Sequence, residues 1–241
     1  MDTAFGESVA VEVPPDGDPA VTRTPTSAAA HAALVCTTVC LVVLALLGAG
    51  IRTAFKPQLE LDAAVSEFTY AGDDRAAALN GLLEVLTAPG SAWVRFLVLL
   101  PVLVSLVRRR LWWTAGWVVT AVALVGPLTT GLKEYFGRIR PDFEQGGARY
   151  ESLSFPSGHA SGVATLVTVA LVLAWPLLGS RGRAWSLTVG AVLVLVVGLT
   201  RMWLGVHYLS DVVGGWAFGL AWTLGTAVLF GALSGGRAAL R

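Results

Sequence analysis

Charged side chains are scarce in this chain of 241 residues. They make up 14% of the sequence, whereas hydrophobic residues make up 55% and the mean hydropathy is +0.68. A soluble domain carries about 25% charged residues, so this chain could not cover its surface with polar side chains. The net charge of +1 gives no electrostatic basis for binding nucleic acid. The composition therefore predicts an integral membrane protein and excludes disorder except at the ends.

Cysteine is also rare, since only Cys36 and Cys40 are present. They lie four residues apart in an apolar run, so they share one face of a helix in lipid, as small packing residues do. This excludes a disulfide framework and a zinc site built on cysteine. The acidic residues and histidines also lack the spacing of a magnesium or zinc site. We therefore predict neither a metal nor another cofactor.

The N-terminus lacks the short basic start of a secretory signal. Prolines and five acidic residues dominate the first 28 residues, which we expect to form a disordered tail. The apolar run that follows is therefore predicted to be a retained membrane span rather than a cleaved signal.

Six segments are long and apolar enough to cross a bilayer, which takes about 20 residues. The predicted fold class is an all-α bundle of six transmembrane helices in one domain over residues 29–236, followed by a short cytoplasmic end at 237–241. Arg95 lies near the start of the second span and is expected to snorkel to the interface. The spans are residues 29–51, 91–107, 111–132, 157–178, 184–204 and 212–234.

The segment between spans one and two, residues 52–90, is amphipathic, with leucines at helical spacing. It is predicted to lie along the membrane interface as one or two short helices. Such a segment could act as a lid or a lipid entry guide, or it could be a packed connecting helix. The sequence leaves both alternatives open.

Orientation follows from arginines in the short connections. Arg108–Arg110, Arg181, Arg183, Arg237 and Arg241 all fall on the side of the N-terminus when six spans alternate. The positive-inside rule makes that side cytoplasmic. The opposite loops also carry basic residues, but several of these belong to the polar clusters described next.

Three polar clusters interrupt the apolar pattern at the ends of spans. By alternation of the spans, all three emerge on the extracytoplasmic face, which predicts an active-site core over residues 129–215. The clusters are Lys133 with Arg138, Arg140 and Pro141; Pro156 to His159; and Arg201 with His207 and Asp211.

Five residues of these clusters are suited to binding a phosphate. Lys133, Arg140 and Arg201 offer positive charge, and guanidinium groups match phosphate oxygens in two-point contacts. Ser157 and Gly158 open a helix, where free backbone N–H groups form an anion site. Taken singly, the arginines could be interfacial anchors and the Pro-Ser-Gly run an ordinary helix cap.

The histidines supply the reactive groups. His207 and Asp211 lie four residues apart, so in a helix the carboxylate can hold one ring nitrogen and leave the other free to attack. His159 can donate a proton to a departing oxygen. Arg201, His207 and Asp211 could also form a plain ion-pair network. All three clusters on one side together favour phosphoryl transfer without a metal.

The three clusters match a known signature in the same order. Residues 133–141 read KEYFGRIRP and fit KxxxxxxRP, residues 156–159 read PSGH, and residues 200–211 read TRMWLGVHYLSD. The last fits SRxxxxxHxxxD with Thr200 at the serine position. The sequence thus resembles the membrane branch of the type 2 phosphatidic acid phosphatase superfamily, which is related to vanadium-dependent haloperoxidases.

The resemblance implies a mechanism. His207 would be the nucleophile that forms a phosphohistidine, Asp211 would orient it, and His159 would protonate the leaving group. Lys133, Arg140, Arg201, Ser157 and the Gly158 amide would hold the phosphoryl oxygens, with no metal required.

The expected substrate is a lipid phosphate or pyrophosphate in a bacterial plasma membrane: phosphatidic acid, phosphatidylglycerol phosphate or a polyprenyl pyrophosphate. Headgroup contacts are expected from the loop at residues 142–150. No nucleic acid and no obligatory protein partner are predicted. The alternatives are a phosphotransferase on the same scaffold and a non-catalytic lipid binder or transporter.

Overall fold

The computed structural model describes residues 28–72, 74–143, 152–234 and 236–240. Most of the predicted tail and loop 144–151 lie outside this range. The described residues form an all-helical structure, with 3-10 turns at Ala88–Gly90 and Trp175–Leu177. The helices are α1 (Ala28–Arg52), α2 (Lys56–Thr69), α3 (Ala77–Thr87), α4 (Ala92–Arg108), α5 (Trp112–Phe136), α6 (Gly158–Ala174), α7 (Ser180–Trp203) and α8 (Leu209–Phe230).

The membrane-spanning pattern confirms the predicted fold class. Five spans are each long and apolar enough to cross a membrane: α1, α5, α6 together with the 3-10 turn that follows it, α7 and α8. The second span in chain order differs from the other five. It reaches the required length only when α3 and α4 are taken together, as a pair bent by 49°. The break lies at Ser91, directly after the 3-10 turn Ala88–Gly90, and Ser91 caps α4 by accepting a hydrogen bond from Val94 N at 3.4 Å.

Helices α6 and α8 form the centre of the bundle. Two glycines of α8 allow their contact, since a Cβ at Gly215 would lie 2.5 Å from the Ser157 carbonyl oxygen and one at Gly219 would lie 2.4 Å from that of Ser161. The G-x-x-x-G pair in the last span therefore serves close packing within the bundle. Helix α1 packs along α8, and α5 covers the neighbouring face of α6.

The segment between spans one and two forms α2 and α3, which pack on the bundle. Asp62 of α2 and Leu83 of α3 are each only 2% exposed. Leu83 packs against Leu204 and Val206, which follow α7. The structure therefore gives this segment a packed connecting role at the end of the bundle where the polar clusters meet.

The prediction that Arg95 snorkels to the interface is wrong. Its side chain is 4% exposed and turns inward, where Nη1 donates to the Gly90 carbonyl oxygen at 3.2 Å. Gly162 of α6 makes room for it, because a Cβ there would lie 2.2 Å from Arg95 Nη1. The bend before α4 supplies the carbonyl acceptor that an unbroken helix would have used internally.

Candidate active site

The polar clusters meet at one end of the bundle. The end of α5, the start of α6, the end of α7 and the start of α8 all lie there, as the alternation of spans predicts. Gly137, with φ of +66°, ends α5 in the left-handed conformation that glycine adopts without strain. The chain then carries Arg138 and Arg140 back toward α8.

His207 and Asp211 form the predicted pair. His207 lies in the short connection before α8 and is 2% exposed, and its Nδ1 lies 3.3 Å from Asp211 Oδ2. That carboxylate also accepts from the Tyr208 amide at 3.0 Å, which fixes it in the first turn of α8. His207 Nε2 lies 3.3 Å from Arg140 Nη1. Because a guanidinium only donates, Nε2 accepts there and the ring proton lies on Nδ1, facing Asp211.

The environment keeps this imidazole neutral. Burial lowers the pKa of His207 well below its ordinary value of 6.5, and the positive charges of Arg140, Arg201 and Lys133 lower this pKa further. A neutral ring with its lone pair on Nε2 is the form that attacks phosphorus. The cations that suit an anionic substrate therefore also hold the histidine in its nucleophilic form.

Arg138 and Asp62 form a buried network behind the pair. Arg138 Nη1 donates to Asp211 Oδ1 at 2.8 Å, and Arg138 Nη2 donates to Asp62 Oδ2 at 2.7 Å. Asp62 also accepts from the Ser210 backbone amide at 2.9 Å. The Arg138 guanidinium stacks over the Tyr208 ring at 4.1 Å. One arginine thus joins α2 to the carboxylate that orients His207.

Arg140 and Lys133 are held by backbone oxygens beside His207. Arg140 donates to the carbonyl oxygens of Ser152 and Val206, each at 2.7 Å. Lys133 Nζ donates to the Leu153 carbonyl oxygen at 2.6 Å. These carbonyl partners fix the positions of the two cationic groups beside His207.

The start of α6 is tied to the start of α8. Ser157 is the N-cap of α6, with its Oγ accepting from Ala160 N at 3.5 Å, and its own amide donates to the Asp211 carbonyl oxygen at 2.8 Å. Gly158 begins α6, where a Cβ would meet no atom closer than 4.0 Å, Thr129 Cγ2. The expected helix opening is therefore present beside Asp211.

Arg201 and Thr200 lie at the end of α7. Arg201 is 7% exposed, and its Nη1 donates to Thr87 Oγ1 of α3 at 3.4 Å. Thr200 stands at the serine position of the signature, is fully buried and donates to the Val197 carbonyl oxygen at 2.7 Å. Its hydroxyl is therefore engaged within its own helix.

A cavity of about 600 Å³ opens beside His159. Lys133, Gly158 and His159 line it together with Arg95, and the cavity extends between α4 and α5. His207 and Arg140 are not among its described lining residues. Within the described residues, no group of three or more His, Cys, Asp or Glu side chains could hold a metal ion.

Four residues near the site were not among the predicted site residues. Asp62, Thr87 and Arg95 lie outside the three clusters, and Arg138, which lies within the first cluster, was given no catalytic or phosphate-binding role although it contacts Asp62 and Asp211. A charge within an apolar span was the available signal for Arg95. Asp62 gave no signal, because an acid on an interfacial helix is ordinary until its burial is known.

A buried His–Asp pair lies among fixed cations at the end of a helical membrane bundle, an arrangement suited to phosphoryl transfer. Residues 114–234, just over half of the chain, match the PAP2 superfamily. The chain therefore belongs to this superfamily, as the resemblance predicted.

Named relatives are lipid phosphatases. The chain is 40% identical over 92 residues to phosphatidylglycerophosphatase B of Bacillus subtilis, covering 37% of this chain and 44% of the relative. It is 32% identical over 182 residues to lipid A 1-phosphatase of Rhizobium etli, covering 65% of this chain and 74% of the relative. The chain thus spans less than half the length of the first of these relatives and about three quarters of the second.

A solved structure has the same architecture. The crystal structure of a transmembrane PAP2 type phosphatidylglycerolphosphate phosphatase from Bacillus subtilis superposes with a TM-score of 0.64 at 28% identity. The superposition covers 79% of this chain and 93% of that structure. The protein is therefore an integral membrane protein of the PAP2 fold.

Proposed function

We propose that this protein is a metal-independent phosphatase that hydrolyses a lipid phosphate or pyrophosphate through a phosphohistidine. The observation that carries the proposal is the placement of His207, whose Nδ1 faces Asp211 and whose Nε2 faces Arg140. Lys133 and Arg201 add to the positive potential there. These groups give the nucleophile, its orienting carboxylate and the anion site that the reaction needs.

In the first step, His207 Nε2 attacks phosphorus. The bond between phosphorus and the leaving oxygen breaks, its electron pair stays on that oxygen, and His159 donates a proton to it. In the second step, a water molecule attacks the phosphohistidine and gives a proton to His159, the electron pair of the P–N bond returns to Nε2, and inorganic phosphate leaves. Asp211 stabilises the positive imidazole ring during both steps.

The phosphoryl oxygens would be held by Lys133, Arg140, Arg201, Ser157 and the Gly158 amide. Arg140 Nη1 contacts Nε2, so the same group is placed to meet a phosphoryl oxygen when phosphorus approaches that nitrogen. Donors fixed by backbone carbonyls need little reorganisation when charge develops in the transition state. This arrangement supports binding of the phosphate without a metal.

The substrate would be phosphatidic acid, phosphatidylglycerol phosphate or a polyprenyl pyrophosphate. The membrane-embedded site and the named lipid phosphatases among the relatives support a lipid substrate. The arginine-rich ends Arg108–Arg110, Arg181 and Arg183 lie opposite the site, which supports an extracytoplasmic active site in a bacterial plasma membrane with cytoplasmic termini. No nucleic acid and no obligatory protein partner are part of the proposal.

Cysteine labelling tests this orientation. In a variant with Cys36 and Cys40 replaced by alanine, Asp142→Cys would be labelled by an impermeant reagent in intact cells. Arg109→Cys, at the opposite end, would be labelled only after the cells are opened. Both positions are exposed. The reverse pattern would place the site on the cytoplasmic face.

Phosphate release tests the reaction itself. Purified protein in detergent with EDTA is given a panel of lipid phosphates and pyrophosphates, beside His207→Ala and the control His31→Ala at the far end of α1. We expect release by the wild type and the control but not by His207→Ala. Activity retained by His207→Ala would refute the nucleophile, and activity lost with EDTA would refute the metal-free mechanism.

The same assay separates the two alternative functions. Transfer of the phosphoryl group to an added alcohol, with little free phosphate, would identify a phosphotransferase. Lipid binding without release or transfer would identify a binder or transporter. The ionisable residues lie at the ends of spans, whereas a transporter places its binding site near the middle of the membrane.

A further inference from the structure

Arg95 is a buried cation in the first turn of α4. Its side chain is 4% exposed, and Nη1 donates to one carbonyl oxygen, that of Gly90, at 3.2 Å. Its Nε has no hydrogen-bond partner within the part of the chain that the structure describes. The ion pairs found there involve Arg138 and His207, not Arg95. A buried guanidinium without a carboxylate is costly, so this environment favours an anion.

Arg95 lies on the side of the site that His159 faces. It lines the cavity of about 600 Å³ together with Lys133, Gly158 and His159. Glu134 is the carboxylate among the described lining residues, and it is exposed. Gly90, which accepts from Arg95, packs on His159 so closely that a Cβ there would lie 2.6 Å from the His159 carbonyl oxygen. Arg95 and His159 therefore line the same cavity, which we call the compartment beside His159.

The charge of the leaving group decides what this compartment has to bind. Under the proposed function, His159 protonates the leaving oxygen, so the leaving group occupies the compartment beside it. Phosphatidic acid and a polyprenyl monophosphate release an alcohol that is neutral once protonated and gives Arg95 nothing to bind. A lipid diphosphate releases a lipid monophosphate, whose charged oxygens match a guanidinium.

We propose that Arg95 is a further substrate-binding residue and that it makes lipid diphosphates the preferred substrates. His207 Nε2 attacks the distal phosphorus, and the bond to the bridging oxygen breaks with its electron pair on that oxygen. His159 protonates the oxygen, and the lipid monophosphate leaves from Arg95. The inference rests on the proposed function, because it places the leaving group beside His159.

Two substrates with the same polyprenyl chain test this role. Arg95→Gln is expected to lower kcat/KM for the diphosphate roughly tenfold to a hundredfold, the range for a hydrogen bond to a charged group. For the monophosphate we expect a change of less than about threefold, and Arg95→Lys should recover part of the diphosphate activity. The matched control is Arg108→Gln, an exposed arginine at the other end of α4, which should change neither value.

Equal losses on both substrates, or no loss on the diphosphate, would overturn the proposal. Binding of inorganic pyrophosphate gives a readout without turnover, measured by calorimetry on His207→Ala with and without Arg95→Gln. We expect about tenfold weaker affinity in the double variant, and equal affinity would also overturn the role of Arg95. If the wild type hydrolyses neither lipid, the proposed function fails, while the pyrophosphate measurement still decides whether Arg95 binds this anion.

Discussion

Two buried arginines at the same end of the bundle have opposite surroundings. Arg138 is paired with Asp62 and Asp211 at 2.7 and 2.8 Å, so two carboxylates surround its charge. Arg95 is equally buried but donates to a single carbonyl oxygen. The charge of Arg138 is balanced by carboxylates of the protein, whereas no carboxylate of the described residues balances the charge of Arg95. The comparison underlies our proposal that Arg138 positions the His207–Asp211 pair whereas Arg95 binds a ligand.

The largest expected difference between the two arginines is in the free energy of unfolding after each is replaced by methionine. Arg138→Met leaves Asp62 and Asp211 buried without their cation, and we expect a loss of about 3–5 kcal/mol in the free energy of unfolding. Arg95→Met removes a buried charge without a carboxylate partner, so its stability should equal or exceed that of the wild type. Unfolding in mixed micelles measures both. An equal loss in the two variants would make Arg95 a structural residue.

Substitution of Asp62 tests whether Arg138 positions Asp211. Asp62→Asn keeps the shape of the side chain and removes the charge that holds Arg138, so the orientation of Asp211 should loosen. We expect kcat to fall roughly tenfold to a hundredfold, with KM changed less than about threefold because Asp62 does not touch the substrate. Glu67→Gln, an exposed acid on the same helix, is the control. A change confined to KM would contradict a positioning role.

The positioning role of Asp62 marks the limit of what the sequence could predict. The spans followed from continuous apolar runs, and alternation of the spans alone brought Lys133, Ser157 and His207 to one end. Arg138 and Asp62 are 76 residues apart in sequence, and their pairing depends on how α2 docks on α8. No local pattern encodes that docking, because the apolar face of an interfacial helix is similar whether it meets lipid or protein.

For Arg95 the sequence pointed to the residue but could not predict where its side chain lies. The sequence flagged the residue as a charge inside a span, but an arginine near a helix end has two solutions, the interface or the interior. The structure takes the second because α3 and α4 bend by 49° and Gly162 leaves space on α6. Both features arise from tertiary packing, so a charge count along the chain could not select between the two solutions.

Gly215 sets the close approach of α6, which carries Gly162, and α8, which carries Asp211. A Cβ in Gly215→Ala would lie 2.5 Å from the Ser157 carbonyl oxygen, so the two helices must separate, at a cost of about 1–3 kcal/mol. Gly225→Ala is the control on the same helix, because its Cβ would meet Thr37 at an ordinary 3.6 Å. We expect only Gly215→Ala to lower the melting temperature. An equal effect of both would point to helix propensity rather than packing.

A third arginine tests whether charge near His207 acts as the comparison requires. Arg140 lies 3.3 Å from His207 Nε2, and its positive charge is one cause of the lowered pKa of His207. Arg140→Gln removes that charge, so the pKa of His207 should rise and the nucleophile should become protonated at a higher pH. At acidic pH the activity of Arg140→Gln should therefore fall further than that of the wild type. The variant will also be slower at every pH, because Arg140 is a proposed phosphate ligand.

The ratio of variant to wild-type kcat/KM isolates this effect, because ionisation of the substrate cancels in it. From about pH 8 downward, we expect the ratio for Arg140→Gln to fall as the pH is lowered, because the pKa of His207 is lowered by less in the variant than in the wild type. The control Arg109→Gln, exposed at the opposite end, should give a flat ratio. A flat ratio for Arg140→Gln as well would mean that burial alone keeps His207 neutral. The cations around it would then serve only to bind phosphate, and Arg138 would act on the histidine solely through Asp211.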